Sequence, residues 1–234
     1  MRIECKATDD LTNDDHAALR VLSAAVYPPR VTAASPGLQF AWAPQQSHIL
    51  VRDDAGQIVS HVGVLTRTVL LDGVPVRIGG VGGVKTHPDA RGWGCASAAM
   101  ARAAAFFADE ARVPFAFLVT LDRRLFYERL NWRLFGGVVN VEQPGGTIHF
   151  TANEPMVYSV RRTAPAAGAL DLQGLPWLSA NEVGYAVYRH ESCVPVHVGS
   201  SHSAVHYRRR NTWHGALHRG ADNNTSHSWF RAAR

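Results

Sequence analysis

Cysteine is scarce in this chain and odd in number: Cys5, Cys95 and Cys193 are all there are. Such a set, widely spaced, excludes a disulfide framework and supplies no Cys-x-x-Cys metal pair. The thiols therefore read as reduced, and the compartment as cytoplasmic. Long apolar runs are missing as well. No stretch reaches the ~18 residues of a membrane span, and the opening MRIECKATDD lacks the apolar core of an export signal. Charged residues make up 18% against 46% hydrophobic, which suits a packed globular domain rather than a disordered chain. The net charge of +5 is unevenly placed. From residue 190 onward six arginines (Arg208, Arg209, Arg210, Arg219, Arg231, Arg234) face only Glu191 and Asp222, so the body is nearly neutral. A basic tail attracts polyanions without selecting among them, and it argues for no dedicated nucleic-acid role.

The 234 residues suffice for one substantial domain with a small appendage. Residues 2–6 form a short candidate strand. Thr12-Asn13-Asp14-Asp15 is a helix-start cluster, and Ala17, Leu19, Leu22 and Val26 follow near helical spacing until Pro28-Pro29 stops them. Residues 30–46 read as loop and short helix, suited to a substrate-facing lid. Strands are expected over 48–52, 57–71 and 75–86, with turn chemistry at Asp53-Asp54-Ala55-Gly56 and Asp72-Gly73. The third of these carries Gly79, Gly80, Gly82 and Gly83, a pattern that points to a bulge or to close approach of another backbone or ligand.

An Ala-rich helix is expected over 95–111, with Met100, Phe106 and Phe107 on its apolar side. A strongly apolar strand over 113–120 reads as covered on both faces. A short helix over 121–130 and strands over 132–141, 147–151 and 156–161 complete an α/β domain around one mixed sheet. We divide the chain into a domain over 1–165, a C-terminal extension over 166–189 and a basic tail over 190–234. The tail holds seven of the twelve histidines. Their irregular spacing supplies no metal site, and the tail is expected to be loosely ordered.

The chemistry concentrates at Arg91-Gly92-Trp93-Gly94-Cys95-Ala96, where a strand hands over to a helix. Unpaired N–H groups at a helix N-terminus and the helix dipole favour an anion there. Glycines let the backbone wrap a phosphate, and Arg91 adds a charge-assisted contact. A pyrophosphate is the natural guest. The plain alternative is a structural strand–helix turn. It is not a P-loop, since no Gly-Lys-Ser/Thr follows, nor a dinucleotide fingerprint, since the third glycine is missing.

In this turn the chain resembles the GNAT superfamily of acyl-CoA-dependent N-acyltransferases, whose signature is Arg/Gln-x-x-Gly-x-Gly/Ala. Arg91, Gly94 and Ala96 match it. A second signature, a helix ending in Tyr before Gly-Phe or Gly-Trp, is similar to Tyr127-Glu128-Arg129-Leu130-Asn131-Trp132, with Asn131 in the glycine position as a left-handed cap. The resemblance covers roughly residues 3–162. It implies a GNAT-type mixed central sheet flanked by helices, in which a splayed third/fourth strand pair holds the cofactor. It also implies acetyl-CoA as co-substrate and a small-molecule primary amine as acceptor, while the lack of long apolar runs argues for no membrane partner. Members often dimerise, so a homodimer is a candidate assembly.

The resemblance further implies roles for residues. The backbone of Val84, Lys85 and Thr86 would pair with the pantetheine arm, and the Val84 amide would stabilise the oxyanion. Arg91, Gly92, Trp93, Gly94, Cys95, Ala96 and Ser97 would hold the pyrophosphate, and Thr120 would contact the arm. Tyr127 would protonate the leaving thiolate, with a core aromatic as its alternative reading. His87 and Asp122 are candidate bases, beside a water chain or a strand carbonyl, while His61 reads as a packed strand residue. An acyl-cysteine route through Cys95 is set aside because the family transfers directly. Residues 60–92 look most like the aminoglycoside 2′-N-acetyltransferases, but Gly82 stands where those enzymes carry a glutamate. A longer acyl donor and a non-catalytic acyl-CoA sensor are the other readings.

Overall fold

Strand β1 (Arg2–Ala7) leads through a short 3-10 turn to helix α1 (Asn13–Val26). The expected start signal becomes a capping box: the Thr12 hydroxyl accepts from the Asp15 N–H at 3.1 Å, and the Asp15 carboxylate accepts from the Thr12 N–H at 3.0 Å. Asp15 also pairs with Lys6 and Arg52. Burial alone would raise the Asp15 pKa, but hydrogen bonds from Lys6, Thr12 and Arg52 hold it well below the usual carboxylate range. Leu22 of α1 packs on Leu50 and Ile58, fixing the helix against the sheet.

The computed structural model describes residues 1–27 and 40–177. Most of the expected lid, the last part of the C-terminal extension and the whole histidine-rich tail lie outside the described residues. The remaining strands are β2 (Ser47–Arg52), β3 (Ile58–Leu71), β4 (Val74–Thr86), β5 (Phe115–Thr120), β6 (Arg133–Leu134), β7 (Val138–Gln143), β8 (Gly146–His149), β9 (Glu154–Ser159) and β10 (Ala169–Asp171). Helix α2 (Cys95–Ala105) runs on into a π turn over Phe106–Glu110, and helix α3 is Arg124–Glu128.

Among the described residues, all ten strands join one mixed sheet in the order β6-β9-β5-β4-β3-β10-β7-β8, with β1 and β2 branching from β3. The long β3 makes this possible, because β2 pairs with its first half and β10 with its last residues. Helix α2 covers one face over Ile49, Val62, Val64, Val81 and Leu118, and Phe117, Phe135, Leu170 and Trp177 pack in a second cluster.

Three differences from the sequence reading have physical causes. The apolar run over 132–141 is two strands rather than one. Arg133–Leu134 pairs with β9 and Val138–Gln143 with β8 and β10, because Phe135 bonds to the Pro155 carbonyl and Gly136 to that of Ala166 between them. The helix expected over 121–130 shrinks to Arg124–Glu128, closed by Asn131 at φ +65° in the left-handed cap role. The described part of the extension does not hang off the domain. It supplies β10 between β3 and β7, where Asp72 takes the Ala169 N–H at 2.7 Å, and it buries Trp177 completely.

Candidate active site

Strand β4 carries the site from its middle to its end. Its pairing with β3 slips between His61–Lys85 and Gly63–Gly82, so Gly83 and Val84 together stand opposite Val62. This is a β-bulge, and Gly83 meets it at φ +60°. On its other side β4 runs parallel to β5, yet the two pair only at Gly79–Ala116 and Gly80–Phe117. Beyond Gly80 they part. The splay falls between the third and fourth strands counted from residue 48.

At the end of β4, His87 caps a 3-10 turn (Pro88–Ala90). The chain then passes Gly92 at φ +84° and Gly94 at φ +79° before α2 begins at Cys95. The first intrahelical bond there runs from the Ala98 N–H to the Gly94 carbonyl at 2.9 Å, which leaves the amides of Cys95, Ala96 and Ser97 without helical partners. A side chain at Gly92 or Gly94 would meet nothing within 4 Å. Arg91, Gly92, Trp93 and Gly94 are exposed, and Cys95 is buried with its sulfur 4.0 Å from the Met1 sulfur. The turn thus forms an outward-facing cradle of amides, of a geometry that suits an anion, at the start of an eleven-residue helix.

The other expected residues divide between the two rims of the splay. Val84 and Lys85 are buried, and the Thr86 hydroxyl lies 2.8 Å from that of Ser60. Lys85 turns its ammonium away to donate to the Ser23 hydroxyl of α1 at 2.8 Å, and burial lowers its pKa to about 8. His87 is partly exposed, with Nδ1 accepting from the Asp89 N–H at 3.3 Å. Across the splay, Thr120 ends β5 fully buried, its hydroxyl accepting from the Arg123 N–H at 3.3 Å. Asp122 is more than half exposed and lies 3.3 Å from the Arg123 guanidinium. Tyr127 is fully buried, edge-on to Phe126 and Trp132.

Sequence reasoning missed a buried chain beneath the bulge. His61 Nδ1 lies 2.7 Å from the Gly83 carbonyl, and His61 Nε2 lies 2.9 Å from His48 Nδ1. Only a nitrogen carrying hydrogen can face that carbonyl, so His61 Nδ1–H donates to it and Nε2 accepts from His48. His48 Nε2 then accepts from the Thr8 hydroxyl at 3.1 Å, whose proton is shared with the Gln45 carbonyl at 2.7 Å. Both imidazoles are neutral. Desolvation, then the Lys85 charge, lowers His48 to about 4 and His61 well below its ordinary value. Two histidines thirteen positions apart give no sequence signal, because the β2–β3 register alone makes them neighbours.

A family model described as an acetyltransferase (GNAT) domain matches residues 8–135, slightly more than half of the chain. Among solved structures, the GNAT family N-acetyltransferase YhbS from Escherichia coli, in complex with CoA, is 14% identical. The alignment covers 74% of this chain and 91% of that one at a TM-score of 0.48. ElaA from Escherichia coli is 15% identical over 68% of this chain and 100% of that one, at 0.49. A GNAT family acetyltransferase from Brucella melitensis, in complex with acetyl-CoA, is 15% identical over 72% and 94%, at 0.46. No curated protein matches. The family match spans the bulged strand, the turn and the helix that the turn opens, and the chain belongs to the GNAT family of acyl-CoA-dependent N-acyltransferases.

Proposed function

We propose that the protein transfers an acetyl group directly from acetyl-CoA to a primary amine of a small molecule. The observation that carries this reading is the alignment along one strand of three features: the parting from β5, the bulge at Gly83–Val84 and the glycine turn that opens α2. The amides of Cys95, Ala96 and Ser97 hold the pyrophosphate, and Arg91 adds its charge. Val84, Lys85 and Thr86 offer backbone to the pantetheine arm in place of β5, and Thr120 faces it from the other rim. The Val84 amide donates to the thioester carbonyl oxygen, where negative charge develops during attack.

Tyr127 gives its proton to the departing thiolate, and its burial removes water as a competitor for that proton. The incoming ammonium, with a pKa near ~10, must first lose a proton. His87 and Asp122, on opposite rims, are the side chains assigned to that task. The free thiols of Cys5 and Cys95 suit a cytoplasmic site of action. Gly82, in place of an acidic residue, speaks against a polycationic aminoglycoside as acceptor.

The test is calorimetric binding of CoA, desulpho-CoA and acetyl-CoA, followed by thiol release over a panel of amines. The Tyr127→Phe variant should keep acetyl-CoA affinity while kcat falls ~10²–10⁴-fold. Binding with no release for any amine would turn the reading into an acyl-CoA sensor. Absence of binding would leave the turn a structural one.

A further inference from the structure

The closed end of the splay is built from two adjacent glycines, each with an aromatic ring set against it. A Cβ on Gly79 would stand 2.5 Å from the ring of Phe107, which the π turn after α2 carries. A Cβ on Gly80 would stand 2.6 Å from the indole of Trp177. Successive strand residues face opposite sides of a sheet, so the two rings close this point from both faces. Gly79–Ala116 and Gly80–Phe117 are the two pairs that join β4 to β5. At the second pair the Phe117 carbonyl takes its hydrogen bond from the Trp177 indole N–H, at 2.9 Å. The indole therefore fills the space over Gly80 and is tied to β5 at the last β4–β5 pair.

The ring is held rather than free to swing. The Arg67 guanidinium lies 5.1 Å over it and donates to the Leu175 carbonyl at 2.7 Å, while the Pro176 carbonyl accepts from the Ala43 N–H at 2.8 Å. Trp177 has no exposed surface. It lies forty-two positions past the last residue of the family match, Phe135, so the matched domain does not itself supply this wall.

The six steps along the strand from Gly80 to Thr86 lead up to the anion cradle, about 20 Å at ~3.3 Å per strand residue. An arm anchored in the cradle and laid along β4 reaches the bulge with its thioester, and an acyl chain continues toward Gly80. The space narrows in that direction until it reaches the ~4.8 Å spacing of paired strands. We infer that Trp177, with Phe107 on the opposite face, closes the end of the acyl pocket and excludes long acyl chains from the donor. This specificity role rests on the acyl-CoA reading of the same strand pair.

The test is the affinity of CoA and of acetyl-, butyryl-, hexanoyl- and octanoyl-CoA, measured by calorimetry on the full chain and on Trp177→Leu, Trp177→Ala and Trp177→Phe. Wild type should bind octanoyl-CoA at least about tenfold more weakly than acetyl-CoA. The Leu and Ala variants should erase that difference while acetyl-CoA affinity stays within about threefold, and the Phe variant should relax it least. If Trp177→Ala does not fold, the Leu and Phe variants decide. An octanoyl-to-acetyl ratio unchanged in variants that still bind CoA overturns the wall and leaves the acyl-CoA reading standing. A wild type that binds octanoyl-CoA as tightly as acetyl-CoA does the same. Failure of wild type to bind any CoA species overturns both.

Discussion

The two ends of the β4 path use glycine for opposite reasons. At the cradle, Gly92 and Gly94 have positive φ and open space around them, so the missing side chain leaves room for a guest and permits the turn. At the closed end, Gly79 and Gly80 are ordinary strand residues whose missing side chains are replaced by the rings of Phe107 and Trp177. One end is exposed backbone with unspent donors; the other is filled by two rings, one of which bonds to the Phe117 carbonyl. The comparison shows that a glycine-rich strand and turn is not one device. Half of it reads ligand, and half of it is packing.

The largest expected effect breaks the closed end. Trp177→Ala should cost ~3–5 kcal/mol of stability through the lost packing and the cavity left behind, read as a shift in urea midpoint with little change in m. The buried imidazoles come next. His48 is neutral when folded, with its pKa lowered to about 4 from 6.5, so the unfolded chain binds more protons between those values. Its contribution is present in full above about pH 6.5 and is lost as pH falls toward 4, a change of about 3 kcal/mol. His48→Gln should flatten the stability-against-pH curve over that window in matched denaturation series.

Two alanine substitutions then separate the two kinds of glycine. Gly80→Ala forces a methyl into a fixed indole and should cost ~1–3 kcal/mol by overpacking. Gly94→Ala meets no atom and should cost only about 1 kcal/mol for its left-handed backbone. If Gly94→Ala were the costlier in thermal unfolding, the roles assigned to the two ends would be reversed. The smallest stability effect is expected at Arg91. Arg91→Ala should leave unfolding within about 0.5 kcal/mol of wild type and weaken CoA binding about tenfold.

The open end was legible in the sequence because its chemistry is local. Arg91, Gly94 and Ala96 lie within six consecutive positions, and the conformation they need depends on neighbours in the chain. The capping box at Thr12 and Asp15 and the left-handed Asn131 were readable for the same reason. The splay was implied by family resemblance and is seen in the two isolated β4–β5 pairs. What escaped was non-local. Nothing in the residues around Trp177 marks its place until β10 inserts between β3 and β7 and the indole packs against Gly80. His48 and His61 look like unrelated strand residues until the β2–β3 register brings their nitrogens to 2.9 Å.

By itself, then, the sequence determined the class of fold, the glycine turn that opens α2 and the family, since capping, turn formation and helix propensity act over a few residues. Only the tertiary structure decided which glycines stay open and which are filled, which histidines share a proton and what closes the end of the strand pair. Those outcomes depend on register and on side chains arriving from far along the chain, and a periodic pattern of apolar residues fixes which face is buried without fixing what will be buried against it.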